Sequence, residues 1–81
     1  MKIVIIDGQG GRMGGLLAEK IKKAAILGAE IYALGTNSAA TTAMLKAGAD
    51  YGATGENPVL VNCRDADYII AVSYTHLRAH E

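Results

Sequence analysis

The sequence predicts an α/β fold, the N-terminal part of a doubly wound parallel sheet. Three observations carry that expectation. The apolar weight of the 81 residues sits in Ala, Ile, Leu and Val, with no Trp, no Phe and 1 Pro, a mix suited to helices packed on a parallel sheet. A β-branched run at the N-terminus breaks into glycines and is followed at once by a helix-period pattern. Strand-like and helix-like stretches then alternate along the chain.

Lys2–Asp7 (KIVIID) is short and continuously apolar up to its aspartate, and it reads as a strand buried on both faces. Gly8-Gln9-Gly10-Gly11 ends it. From Arg12 to Leu27 the apolar positions Met13, Leu16, Leu17, Ile21, Ala24 and Ala25 recur at helical spacing, which predicts an amphipathic helix stopped by Gly28. Lys20, Lys22 and Lys23 occupy its C-terminal half, where the helix dipole favours cations. Glu30–Leu34 is a second strand, followed by the turn Gly35-Thr36-Asn37-Ser38. Ser38 is placed as the N-cap of a helix over Ala39–Ala47, which Gly48 ends.

Ala49–Ala53 reads as a short third strand, with Gly52 against it. Val59-Leu60-Val61 alone suggests strand, but Asn57-Pro58 suits a helix start, with Asn57 as the cap. Parallel strands need a crossover of about a dozen residues, so Pro58–Ala66 is read as a helix. Tyr68–Ala71 is the last strand. The alternation is that of a Rossmann-like sheet.

The chain is 51% hydrophobic and 20% charged, enough to bury a core. Its 8 basic and 8 acidic residues cancel, which argues against a nucleic-acid or anionic-membrane surface. No apolar run approaches the roughly 20 residues of a membrane span, and Ile3–Ile6 is too short for a secretory signal. A cytoplasmic protein is the expectation. The single Cys63 excludes an internal disulfide and is read as a small buried hydrophobe. Asp65 and Asp67 read as solvent-facing, and Tyr32, Tyr51 and Tyr68 as packing groups.

Val72–Glu81 (VSYTHLRAHE) breaks from this composition and holds both histidines, His76 and His80. The string resembles, residue by residue, the translation of a transposase adapter used in sequencing libraries. The expectation is a partial domain over residues 1–71 and a non-native tail over 72–81. The i, i+4 spacing of His76 and His80 would suit a metal, but the adapter accounts for both.

The loop Gly8-Gln9-Gly10-Gly11-Arg12-Met13-Gly14 joins the first strand to the first helix. Glycines let a phosphate approach the backbone, and the helix start offers unpaired N–H groups at the positive end of its dipole. The spacing G-x-G-x-x-G fails at Met13, whereas Gly8, Gly11 and Gly14 keep G-x-x-G-x-x-G. Arg12 lies in the first turn, where it reaches a phosphate or stays solvated. No carboxylate stands at the end of the second strand to hold a ribose, only Thr36 and Asn37. Asp7 is unusual beside a phosphate; it would hold a metal on that phosphate or accept from a ligand hydroxyl or amine. Thr54, Gly55 and Glu56, with Asn57, follow the third strand on the same edge, where ligands of such sheets sit. The alternative is that these glycines form only a tight junction, with Ser38 and Asn57 as helix caps.

Gly11-Arg12-Met13-Gly14 resembles the nucleotide loop of dihydrodipicolinate reductases, a likeness confined to one loop. A wider resemblance covers nearly all of residues 1–70. IDGQGG at Ile6–Gly11, ALGTN at Ala33–Asn37, AMLKAGAD at Ala43–Asp50 and GATGEN at Gly52–Asn57 resemble a family of small bacterial proteins known only as domain of unknown function 3842. That resemblance implies a Rossmann-type fold continuing past residue 70 and supplies no activity, because none is established for the family.

Two functions remain open. The first is a nucleotide- or dinucleotide-binding domain with NAD(P) or another nucleotide on Gly8–Gly14; were it an enzyme, an NAD(P)-type oxidoreductase is expected, with its catalytic residues outside this sequence. The second is a non-enzymatic module whose glycine-rich edge meets a partner chain or builds a homo-oligomer.

Overall fold

The computed structural model describes residues 1–72. These form β1 (Lys2–Asp7), α1 (Arg12–Lys23), β2 (Glu30–Gly35), α2 (Ser38–Lys46), β3 (Tyr51–Thr54), α3 (Glu56–Cys63) and β4 (Tyr68–Val72). The strands make one parallel sheet in the order β3-β2-β1-β4. β1 lies inside it, paired with β2 from Lys2↔Glu30 to Asp7↔Gly35 and with β4 from Ile3↔Tyr68 to Asp7↔Val72. The first two crossovers run one way from β1 and the third returns past it. Right-handed connections therefore place α1 and α2 on one face of the sheet and α3 on the other. This is the α/β, Rossmann-like arrangement that the alternating pattern predicts.

The main core lies under α1 and α2. Ile5, Ile31 and Ala33 of the sheet meet Ala18 and Met44, with Leu17, Ile21, Ala47 and Ala49 packed around them. Strand alternation turns Val4 and Leu34 to the other face, where both are buried. Tyr32 stacks there on Tyr51 at 4.7 Å between ring centroids, and Lys2 Nζ lies 4.5 Å from the Tyr32 centroid. α3 covers this second face, though none of its own residues is fully buried.

Several boundaries differ from the sequence reading, each for a local reason. α1 stops at Lys23 rather than Leu27, because Ala25 takes a left-handed φ of 52°. Leu27 is consequently 97% exposed. The buried positions of α1 are Gly14, Gly15 and Ala18, while Met13 and Leu16 face outward. A Cβ at Gly14 would lie 2.6 Å from Met44 Sδ and 2.9 Å from Asp7 Oδ2, and Gly15 sits in ordinary contact with Ala43 and Ala47 of the α2 side, so small residues let the two helices meet. Ser38 is not the cap of α2; Asn37 is, its Oδ1 accepting from the Ala40 N–H at 2.8 Å. The extended backbone at Asn37 suits that role.

Asn57 likewise lies inside α3, whose start is Gly55 without a side-chain cap. β3 begins at Tyr51 rather than Ala49, and Gly52 belongs in it: a Cβ there would lie 2.7 Å from Leu45 of α2. α3 spans Glu56–Cys63 rather than Pro58–Ala66, and Cys63 is half-buried. β4 runs one residue further than read, to Val72, which is buried. Tyr68 is 59% exposed and is not a packing group. His76, His80 and the rest of the tail after Val72 lie outside the described residues. Among the described residues no helix is long and apolar enough to cross a membrane.

Asp65 and Asp67 are exposed, as read, and both also anchor the start of β1. The Lys2 N–H donates to Asp67 Oδ2 at 2.7 Å, and Lys2 Nζ pairs with Asp65 Oδ1 at 2.6 Å. Asp50 makes a similar link before β3. It accepts from Lys22 Nζ at 2.7 Å and from the Ile31 N–H at 2.8 Å, and these bonds, the Lys22 one foremost, hold its carboxyl below the ordinary value of 3.8. A depressed folded value means stability that is complete above the unfolded value and lost as pH falls through the folded one. Acid titration followed by circular dichroism should therefore show part of the unfolding below the ordinary carboxylate range. Asp50→Asn should remove that part; an unchanged acid limb would deny Asp50 the role.

Candidate functional site

Asp7 ends β1 and is fully buried. Its Oδ1 accepts from the Gln9 N–H at 2.7 Å and its Oδ2 from the Gly14 N–H at 3.0 Å. Gly14 is the third residue of α1, and the residue flanking the helix start, Gly11, has no side chain to cap it. Asp7 thus performs from the strand what an N-cap side chain performs from the helix itself. The anion at this helix start is the protein's own carboxylate, and both of its oxygens are engaged inside.

The loop around it is held on both sides. The Gly8 N–H donates to Val72 O at 3.1 Å, and the Thr36 N–H donates to Asp7 O at 3.2 Å. Gly8, Gln9 and Gly10 are exposed. Among the described residues no acceptor reaches the N–H groups of Gly10, Gly11, Arg12 or Met13. Gly11 is a buried residue with φ 87°, whereas Gly10, Arg12 and Met13 are exposed.

A pocket of about 470 Å³ opens at the carboxyl end of the sheet on the α3 side, lined by Ile6, Thr36, Gly55, Glu56, Val59 and Leu60. The Gly55 N–H donates to Gly35 O at 3.0 Å, which holds the loop after β3 against the end of β2. That bond brings Glu56 to the same pocket as Thr36. The walls are apolar, from Ile6 on one side and Val59 and Leu60 on the other, with Thr36 and Glu56 as the polar groups. Such a mixture, in a volume of this order, suits a small organic ligand.

The residues read as one convergent edge therefore separate. Thr36, Gly55 and Glu56 share the pocket. Asn37 is occupied structurally: besides capping α2, its Nδ2 donates to Gln9 O at 2.9 Å. Thr54 is tied to α2, its Oγ1 lying 2.8 Å from Thr41 Oγ1. Arg12 and Met13 line an open depression of about 560 Å³ with Leu16 and Glu19, apart from the pocket. Ile6, Val59 and Leu60 were not legible as site residues. Their signal is the crossover that lays α3 over β1, which a topology argument from the strand order would supply.

One comparison bears on the chain. The model of a family described as Domain of unknown function (DUF3842) matches residues 2–77. No curated protein and no solved structure matches the chain.

Proposed function

Since the chain belongs to this family of unknown function, we propose from its own residues that it is a nucleotide-binding domain. The nucleoside occupies the pocket between Ile6 and α3, and a phosphate rests on the free amides at the start of α1. The sheet order supports the placement, because β1 and β4 flank the point where the crossovers reverse, and ligands of open α/β sheets bind beyond the strand ends at such a point.

One observation carries the reading. Gly11 is needed by the fold, since its φ is left-handed and a Cβ would lie 2.6 Å from Ala40 O, and Gly14 is crowded by the side chains of Met44 and Asp7. Gly10 is different. It is exposed, its φ is not left-handed, and a Cβ there would have nothing within 4 Å. Nothing in the described fold demands glycine at this position, whereas a phosphate approaching the backbone does. Arg12 is exposed in the adjoining turn and supplies a cation.

Isothermal titration of the chain with NAD, NADP, ATP and FAD tests the reading. Gly10→Ala should leave the thermal midpoint within about 4 °C, because surface changes are usually within about 0.5 kcal/mol. It should weaken the nucleotide that binds by about tenfold or more, the cost of about 1.4 kcal/mol in a displaced phosphate contact. Absence of heat for all four ligands at millimolar concentration would overturn the proposal.

A second reading has its own support. Asp7 already uses two of the loop amides, and α1 leaves Met13 and Leu16 each 48% exposed. Those facts favour a non-enzymatic module that meets a partner chain or a second copy. Sizing across a wide concentration range separates it, since a monomer throughout would exclude self-association.

A further inference from the structure

Resting on the nucleotide reading, we infer that Glu56 makes the pocket selective for a ribose with both hydroxyls free, and against one carrying a 2′-phosphate. Dinucleotide sites of this architecture take such a carboxylate from the end of the second strand. Here that position holds Gly35-Thr36-Asn37, and the Asn37 side chain is engaged by Ala40 and Gln9. The carboxylate arrives from the next loop instead. The bond from the Gly55 N–H to Gly35 O pins the end of β3 beside the end of β2 and sets Glu56 next to Thr36 in the pocket wall.

Three features make Glu56 the discriminating group. It is the one acidic residue in the pocket wall, and no basic residue lines that wall. It takes part in none of the ion pairs among the described residues, so its charge is not neutralised by a neighbour. Its neighbour Thr36 supplies a hydroxyl that donates or accepts. A carboxylate accepts from two vicinal hydroxyls at once, and hydrogen bonds to a charged acceptor are the stronger kind. A 2′-phosphate removes one of those donors and brings about two negative charges against the carboxylate. Ile6 on one side and Val59 with Leu60 on the other leave an apolar slot for the base.

The test uses ligand pairs that differ only at that hydroxyl. The full 81-residue chain is titrated with NAD and NADP, then with AMP and 2′-deoxy-AMP. NAD should bind about 30-fold more tightly than NADP, and AMP about tenfold more tightly than its deoxy form, the range expected for a lost charged hydrogen bond with added repulsion. Glu56→Gln removes the charge from an exposed residue and should bring NAD and NADP to within about threefold of each other. Gly10→Ala should weaken both alike and leave their ratio unchanged. Equal binding of NAD and NADP by the unaltered chain, or a ratio that Glu56→Gln does not move, overturns this inference while leaving nucleotide binding in place. No binding of any of these, nor of ATP or FAD, overturns both.

Discussion

Gly11→Ala should destabilise the fold by about 3 kcal/mol, a sum of two penalties. The position has φ 87°, where an L side chain crowds its own carbonyl. The new methyl would also lie 2.6 Å from Ala40 O and 2.8 Å from Ala43 Cβ, so α1 and α2 must separate to admit it. Backbone oxygen cannot swing aside as a side chain does. Urea denaturation followed by circular dichroism gives the midpoint. Unchanged stability would mean that the two helices do not touch through Gly11. The contrast with Gly10→Ala is informative, because neighbouring glycines in one loop then report separately on folding and on binding.

Asp7→Ala should cost about as much, near 3 kcal/mol, by leaving two inward amides without an acceptor. Asp7→Asn keeps one oxygen acceptor but turns an NH₂ toward the other amide, so about half that loss is expected. Native-state hydrogen exchange supplies the specific readout, since protection of the Gln9 and Gly14 amides should fall in both variants. Exchange at those two amides unaltered by Asp7→Ala would show that the carboxylate is not their partner. The result also bears on the ligand proposal. A variant that stays folded with freed amides gains room for an external anion, and stronger phosphate binding would follow from the same geometry.

The strands were the most legible part of the chain. Ile3–Ile6 has no alternative as a helix face, and the glycines after Asp7 mark its end. Helix faces were less legible, for a physical reason. In α1 the periodic signal finds Leu17 and Ile21, which pack on the core, but it also includes Met13 and Leu16, which face outward, and it misses the buried Gly14, Gly15 and Ala18. Close approach of two backbones selects small side chains, and a hydrophobicity pattern does not register them. The end of α1 is misplaced by the pattern because Ala24-Ala25 has no breaker chemistry, whereas the chain turns left-handed at Ala25. Adjacent capping residues at Asn37 and Ser38 are chemically alike, and only backbone conformation selects between them.

The candidate site divides along the same line. Thr36, Gly55 and Glu56 could be read from their positions after strands, because topology alone assigns them to one edge. The occupations of Asn37 and Thr54 could not, since each depends on a partner distant in sequence or on helix packing. The apolar walls at Ile6, Val59 and Leu60 needed the return crossover to be known first.

The central position of β1 also bears on how the chain acquires its structure. β1 is the first strand to be synthesised, but one of its two ladders closes only with residues 68–72, and its Lys2 N–H waits for Asp67. Contacts of that sequence separation slow folding through the entropy of closing a long loop. During translation a nascent chain would hold β1, α1 and β2 as a half-built sheet with one side of β1 open until β4 emerged. If the docking of β4 limits the rate, Asp67→Ala should slow the folding phase, and a folding rate left unchanged by that substitution would place the limiting step elsewhere.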